Sequence, residues 1–169
     1  RRRRMAPSRH ALIVLLATAL IVALGAPASA RESEQLRAEM IYRLTKFVEW
    51  PAQGAKLKIC SAERSSLNRH LRTLHGKQAR GRKMAVRSVG KAHTDDCDVL
   101  VLGDHYPRKV KPRKGMLTIG RGQRFLDAGG MISIELEASR LVLDVNRSAA
   151  KAAGIEISSQ VLGIARSVR

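Results

Sequence analysis

The residues with most chemistry to offer in this chain are two cysteines, five histidines and a single tryptophan. Nucleophilic catalysis needs a Ser or Cys activated by a neighbouring base. His70 and His75 lie on or just after a leucine-faced helical stretch and His105 begins a basic loop, while no Ser or Cys stands in a nucleophile-elbow setting. The reading is of a protein that is not an enzyme, with no catalytic residues and no cofactor. His93, Asp95, Asp96 and Asp98 have the types for a metal site, but they crowd a loop around Cys97 and read instead as a solvated turn, so no metal is expected. Gly120-Arg121-Gly122 follows one apolar run and precedes another, where backbone amides cradle phosphates in some folds. Phe125 stands where the dinucleotide fingerprint wants its third glycine, which favours a simple turn.

Three further features concern contact rather than catalysis. Arg108, Lys109, Lys111, Arg113 and Lys114 form a basic stretch suited to an anionic partner, or to a solvated loop. Trp50 either plugs the core at a helix end or lines a hydrophobic pocket or dimer face. Arg121 and Arg124, beside the Gly120 turn, would be the contacts of a small nucleotide or anion ligand.

Compartment comes from the amino terminus. Arg9 and His10 precede an apolar run of about 14 residues, Ala11 to Leu24, short of the ~20 a spanning helix needs. Gly25-Ala26-Pro27 then breaks it before Ala28-Ser29-Ala30. This is the pattern of a secretory signal peptide over residues 1–30, cleaved after Ala30, with Arg1 to Arg4 upstream of Met5 reading as a mis-assigned start or a longer positive region. Residues 31–169 are then one exported, periplasmic domain. Of 32 basic residues five leave with the signal, so 27 remain against 14 acidic ones, a net charge of +13. An exported protein meets little nucleic acid, and two Phe, two Tyr and one Trp are too few for a stacking platform, so nucleic acid is not an expected partner. The charge suits an acidic partner face, a phosphate-bearing ligand or, for a cationic structural protein, the envelope itself. In that oxidising compartment Cys60 and Cys97 are expected to pair.

The elements that must position these residues follow from periodicity. Leu36, Met40, Leu44 and Phe47/Val48 predict a helix ending at Trp50-Pro51, and Leu67, Leu71 and Leu74 a second one before Gly76. Leu57 to Cys60, Arg82 to Val89, Cys97 to Leu102 and Met116 to Ile119 read as strands, the third apolar enough to be buried on both faces. A short helix is expected around Phe125 and Leu126. Met131 to Leu136 should turn between Glu135 and Arg140 and return as Leu141 to Val145 in an antiparallel hairpin. Asn146 is placed to cap a helix stopped at Gly154, and Ser158 to cap a last helix through Val161, Leu162, Ala165 and Val168. The sum is an α/β domain: a mixed sheet of about five strands with helices on both faces.

In order along the chain stand Ile41-Tyr42-Arg43-Leu44-Thr45-Lys46-Phe47-Val48-Glu49-Trp50-Pro51, Leu57-Lys58-Ile59-Cys60, Leu74-His75-Gly76-Lys77 with Gly81-Arg82, and Cys97-Asp98-Val99-Leu100. Leu117-Thr118-Ile119-Gly120, Phe125 with Gly129-Gly130-Met131-Ile132, and Val145-Asn146 through Ala153-Gly154 to Leu162 follow. This succession resembles the periplasmic proteins of the YfiR type. The resemblance implies a repressor that binds the periplasmic sensory domain of an inner-membrane diguanylate cyclase, keeps cyclic di-GMP and biofilm formation low, forms a homodimer, and bridges Cys60 to Cys97. It also points to an outer-membrane lipoprotein as a further partner, and, because relatives of the domain occur fused to sensor histidine kinases, to regulation of such a kinase as an alternative. Some members carry a second cysteine pair in the Gly129 to Arg140 region, where this chain has none.

Overall fold

The computed structural model describes residues 27–51, 54–62, 66–90, 94, 96–104 and 106–169. The expected signal run Ala11 to Leu24, and His93, Asp95 and His105, lie outside them. Among the described residues no helix is long and apolar enough to cross a membrane. Ser33–Arg169 forms one compact unit; of the unit Arg1–Glu32 only the start of the first helix is described.

Helix α1 (Pro27–Thr45) turns Ala38, Ile41 and Leu44 into the core. It stops short of the predicted end at Trp50. Val48 is β-branched and Trp50 precedes a proline that disfavours helical backbone before it. Their neighbours also find other partners: β1 (Val48–Glu49) pairs antiparallel with β9 (Glu156–Ile157), and the Ser158 amide donates to the Phe47 carbonyl at 3.0 Å.

Next come β2 (Lys56–Ser61), α2 (Ser66–Arg72), β3 (Gln78–Ala79), β4 (Arg82–Ser88), β5 (Val99–Val101) and β6 (Leu117–Gly120). They are followed by α3 (Gly122–Asp127), β7 (Ile132–Glu137), β8 (Arg140–Val145), α4 (Arg147–Ala152), α5 (Ser159–Ile164) and β10 (Ser167–Val168). The main sheet has the order β10-β8-β7-β6-β5-β2-β4-β3. The five strands β4, β2, β5, β6 and β7 run parallel, β3 and β8 join antiparallel, and β10 lies parallel to β8. Class and both-face packing are as the sequence predicts; the strand number is not, since among the described residues eight strands share this sheet and two more form a ribbon. The unread strands β1, β3, β9 and β10 are each two residues long, too short to show periodicity, and exist because a neighbouring edge offers them a ladder.

Alternation along the strands divides two cores. Leu57, Ile59, Val99, Val101, Leu117 and Ile119 face α1, α2, α4 and α5. Cys60, Leu100 and Leu102 face the other way, with Val110, Met116 and the α3 residues Phe125 and Leu126. Phe125 needs Gly120 and Gly130, because a Cβ at those positions would come within 2.6 and 2.2 Å of its ring.

The predicted hairpin forms: Glu137 pairs with Arg140 across Ala138 and Ser139, whose φ values of 46° and 64° are the positive ones a two-residue turn of the I′ type requires. Asn146 caps α4 by accepting from the Ala149 amide at 3.0 Å, and Gly154 follows at φ +73°. The last helix is shorter than expected. After Ile164 the chain becomes extended, because the Arg166 and Arg169 amides donate to the Leu143 and Val145 carbonyls and the Arg166 guanidinium grips Asp144, binding β10 to the sheet.

Candidate functional site

The two cysteines come together because β2 and β5 are parallel neighbours. Cys60 is level with Leu100, Cys97 lies just before β5, and the pair forms a disulfide with a Cα separation of 5.8 Å. Both are wholly buried. The Arg87 guanidinium lies over the bridge, with Nε 3.4 Å from the Cys60 sulfur, and also donates to the Asp96 carbonyl.

Beside the bridge is a clamp that sequence reasoning did not foresee. Asp98, one residue after Cys97, accepts from the Lys58 amide and from the Arg82 guanidinium, both at 2.8 Å. Arg82, 6% exposed, donates further to the carbonyls of Gly54 (2.9 Å) and Lys56 (2.5 Å). Trp50 donates from its indole to the Asp98 carbonyl at 3.1 Å, and the guanidinium carbon of Arg82 is 6.0 Å from its ring centre. Five motif residues of the sequence thus converge on one place: Trp50, Cys60, Arg82, Cys97 and Asp98. Trp50 is 7% exposed and belongs to the main core, so as a contact residue it would first have to leave that core.

The aspartates read together as a solvated turn therefore part company. Asp96 is exposed and pairs with Lys58 at 2.5 Å; this hydrogen bond, with Arg87 and Arg113 nearby, holds its carboxyl below the usual range. Asp98 is the buried anchor of the clamp. Among the described residues no three His, Cys, Asp or Glu side chains are grouped to hold a metal. His75 accepts from the Val86 amide through Nδ1, at 3.2 Å.

The Gly120-Arg121-Gly122 turn is built around the Phe125 ring, and the Gly122 amide is donated to Ser133 Oγ at 2.7 Å rather than held open for an anion. Arg121 bonds Glu34, which also pairs with the buried Arg37, and Arg37 donates to the Gly120 carbonyl at 3.2 Å. The cleft of about 290 Å³ at this point contains Glu34 and Glu135 as well as the two arginines, a balance unfavourable to a nucleotide. Arg124 is exposed on α3 and is not among the residues that line this cleft.

The basic stretch is an exposed loop. Arg108, Lys109, Lys111, Arg113 and Lys114 all reach solvent, while Val110 between them is buried. The loop is pinned: the Val110 amide donates to the Ala128 carbonyl at 2.6 Å, and Arg113 donates to the Cys97 carbonyl at 2.8 Å. Beneath it, against the disulfide-side core, lies a cavity of about 330 Å³.

The chain is thus a disulfide-clasped α/β domain with a pinned cationic loop over one sheet face. Its family follows from comparison: the chain belongs to the YfiR/HmsC-like family, whose model matches residues 34–166. That membership confirms the resemblance and carries a periplasmic, regulatory role in general rather than a catalytic one. Among curated proteins none matches significantly. Of solved structures, the chain is similar to a conserved domain protein of Vibrio cholerae at 14% identity and a TM-score of 0.48, covering 80% of this chain and 60% of that one. It is similar to the same degree, 14% and 0.48, to an ABC domain of Streptococcus pneumoniae solved in complex with L-Trp, over 81% of this chain and 60% of that one. The chain thus spans about 60% of the length of each.

Proposed function

We propose that this chain, processed after Ala30, is a periplasmic repressor that binds the periplasmic sensory domain of an inner-membrane diguanylate cyclase and so lowers cyclic di-GMP. The observation that carries the reading is the family match across residues 34–166. Arg108, Lys109, Lys111, Arg113 and Lys114 offer a pinned, exposed cationic surface for an acidic face of that partner. A homodimer, and release by an outer-membrane lipoprotein, complete the proposal.

The test is co-purification of the exported protein with a membrane diguanylate cyclase of the same cell, against the Lys109→Glu variant, which reverses an exposed charge of the loop without touching its pins. Binding by the wild type, weakened by the charge reversal at an unchanged melting temperature, supports the reading. A folded protein that captures no cyclase sensory domain contradicts it.

A further inference from the structure

Strand order locates a crevice that the family assignment does not use. From β2 the chain runs through α2 to β4 on one side, then crosses to β5 on the other side of β2 and continues outward to β6 and β7. The order of the parallel strands therefore reverses between β2 and β5. In open α/β sheets the connections diverge at such a point, and ligands bind outside the carboxyl ends of the strands there. The cavity of about 330 Å³, beneath the basic loop, reaches this place at one end: Ala62 follows β2 directly and Leu102 follows β5, while Leu100, Thr118 and Met116 extend its lining along the face of β5 and β6. Its volume is at the low end of the ~300–1,000 Å³ typical of small-molecule sites.

We propose that this cavity binds a small organic carboxylate with an apolar body. The floor and walls are Leu100, Leu102, Val110 and Met116, and a body without polar groups is what they can desolvate. The buried Thr118 hydroxyl at the base already accepts from the Met131 amide, at 3.1 Å. At the mouth stand Lys111 and Arg113, and no carboxylate is among the described residues that line the space. Lys111 is exposed and pairs with no acidic side chain among the described residues, which leaves one ammonium to meet one negative charge. A phosphate would call for several converging donors, whereas the Arg113 donors already serve the Cys97 and Lys114 carbonyls.

The space is held open by the backbone. The Val110 amide is committed to the Ala128 carbonyl at the α3 end, and its own carbonyl lies so close to Gly129 that a Cβ there would come within 2.8 Å of the oxygen. The Gly115 amide donates to the Ala153 carbonyl at 2.7 Å, anchoring the far end of the loop. A roof fixed at both ends cannot settle onto the floor, so the apolar lining keeps an uncovered surface that a ligand would cover.

The probes are 4-phenylbutyrate and its uncharged counterpart 4-phenylbutanol, titrated calorimetrically into the disulfide-bonded exported protein. The carboxylate should bind saturably and at least about threefold more tightly than the alcohol, a rim ion pair being worth up to about 1 kcal/mol. Lys111→Gln should remove that difference without moving the melt, and Ala62→Leu, which fills the wall, should weaken both compounds together. Amide shift mapping on the wild type needs no variant: the largest changes should centre on Leu102, Val110 and Met116. Equal binding of the two compounds, shifts centred on Arg121, or no saturation by ~10 mM, a free energy weaker than about 3 kcal/mol, would each overturn the proposal.

Discussion

Arg82→Met removes the guanidinium at the centre of the clamp while keeping most of the side chain's apolar volume. It leaves the Asp98 carboxylate, 17% exposed at the side chain, with only the Lys58 amide, and takes the donors from the Gly54 and Lys56 carbonyls. Breaking a buried pair from one side costs about 3–5 kcal/mol, because the remaining charge is stranded. Each carbonyl that cannot find water adds to this, but Gly54, before β2, and Lys56, its first residue, are both exposed, so water can reach them and the pair sets the scale. Asp98→Asn, which keeps the Lys58 bond and loses only the charge, should cost about 1–2 kcal/mol. Arg82→Met with Asp98→Leu should be less damaging than Arg82→Met alone, since no charge is then stranded. Urea unfolding of the disulfide-intact protein measures all three. The single tryptophan, Trp50, hydrogen-bonds within the clamp and reports locally, and far-ultraviolet circular dichroism reports globally. A 3–5 kcal/mol loss moves the midpoint by roughly 2 M at an unchanged slope. If Arg82→Met costs less than about 1 kcal/mol, or the double variant is no less damaged than Arg82→Met alone, the clamp does not hold the Trp50 segment to β2 and β5 as argued.

Two further predictions concern stability. Cys60→Ser opens a loop with a sequence separation of 37, worth roughly 4 kcal/mol in the chain-entropy model, or about 10–15 °C of melting temperature; a shift under about 3 °C would refute that role. Asp144, 2% exposed, is held below its ordinary value of 3.8, first by its hydrogen bonds from Arg166 and then by Ser167. A depressed carboxylate adds stability that is complete above about pH 4 and is lost as the pH falls through the folded value, so Asp144→Asn should flatten the acid side of the stability curve; parallel curves for variant and wild type would contradict this.

How far the sequence speaks depends on range. Long apolar runs declare themselves: Leu57 to Cys60, Cys97 to Leu102 and the Met131 to Val145 hairpin are where periodicity puts them, and Asn146 caps as its type suggests. Two-residue strands do not, because Val48, Gln78, Glu156 and Ser167 pair only when a distant edge arrives. The clamp leaves a trace in the sequence. An aspartate directly inside Cys97-Asp98-Val99-Leu100 is a charge in an apolar run and requires a partner, whereas its neighbour Asp96 stands in the exposed turn. Nothing local shows that the partner is Arg82, which follows a positive-φ Gly81 and reads as the start of a strand. The cavity was equally hidden, since Ala62, Leu102, Val110 and Met116 meet only once the strand order places β2 beside β5.

The central claim, repression of a membrane cyclase by binding, is tested most directly by cyclic di-GMP measured in deletion and complemented strains, each with the cyclase present and absent. The account predicts that deletion raises cyclic di-GMP only where the cyclase is present, that the wild-type gene restores the low level, and that Cys60→Ser restores it only partly because its unfolded fraction is degraded. An unchanged level on deletion, with the cyclase expressed and active, would contradict it.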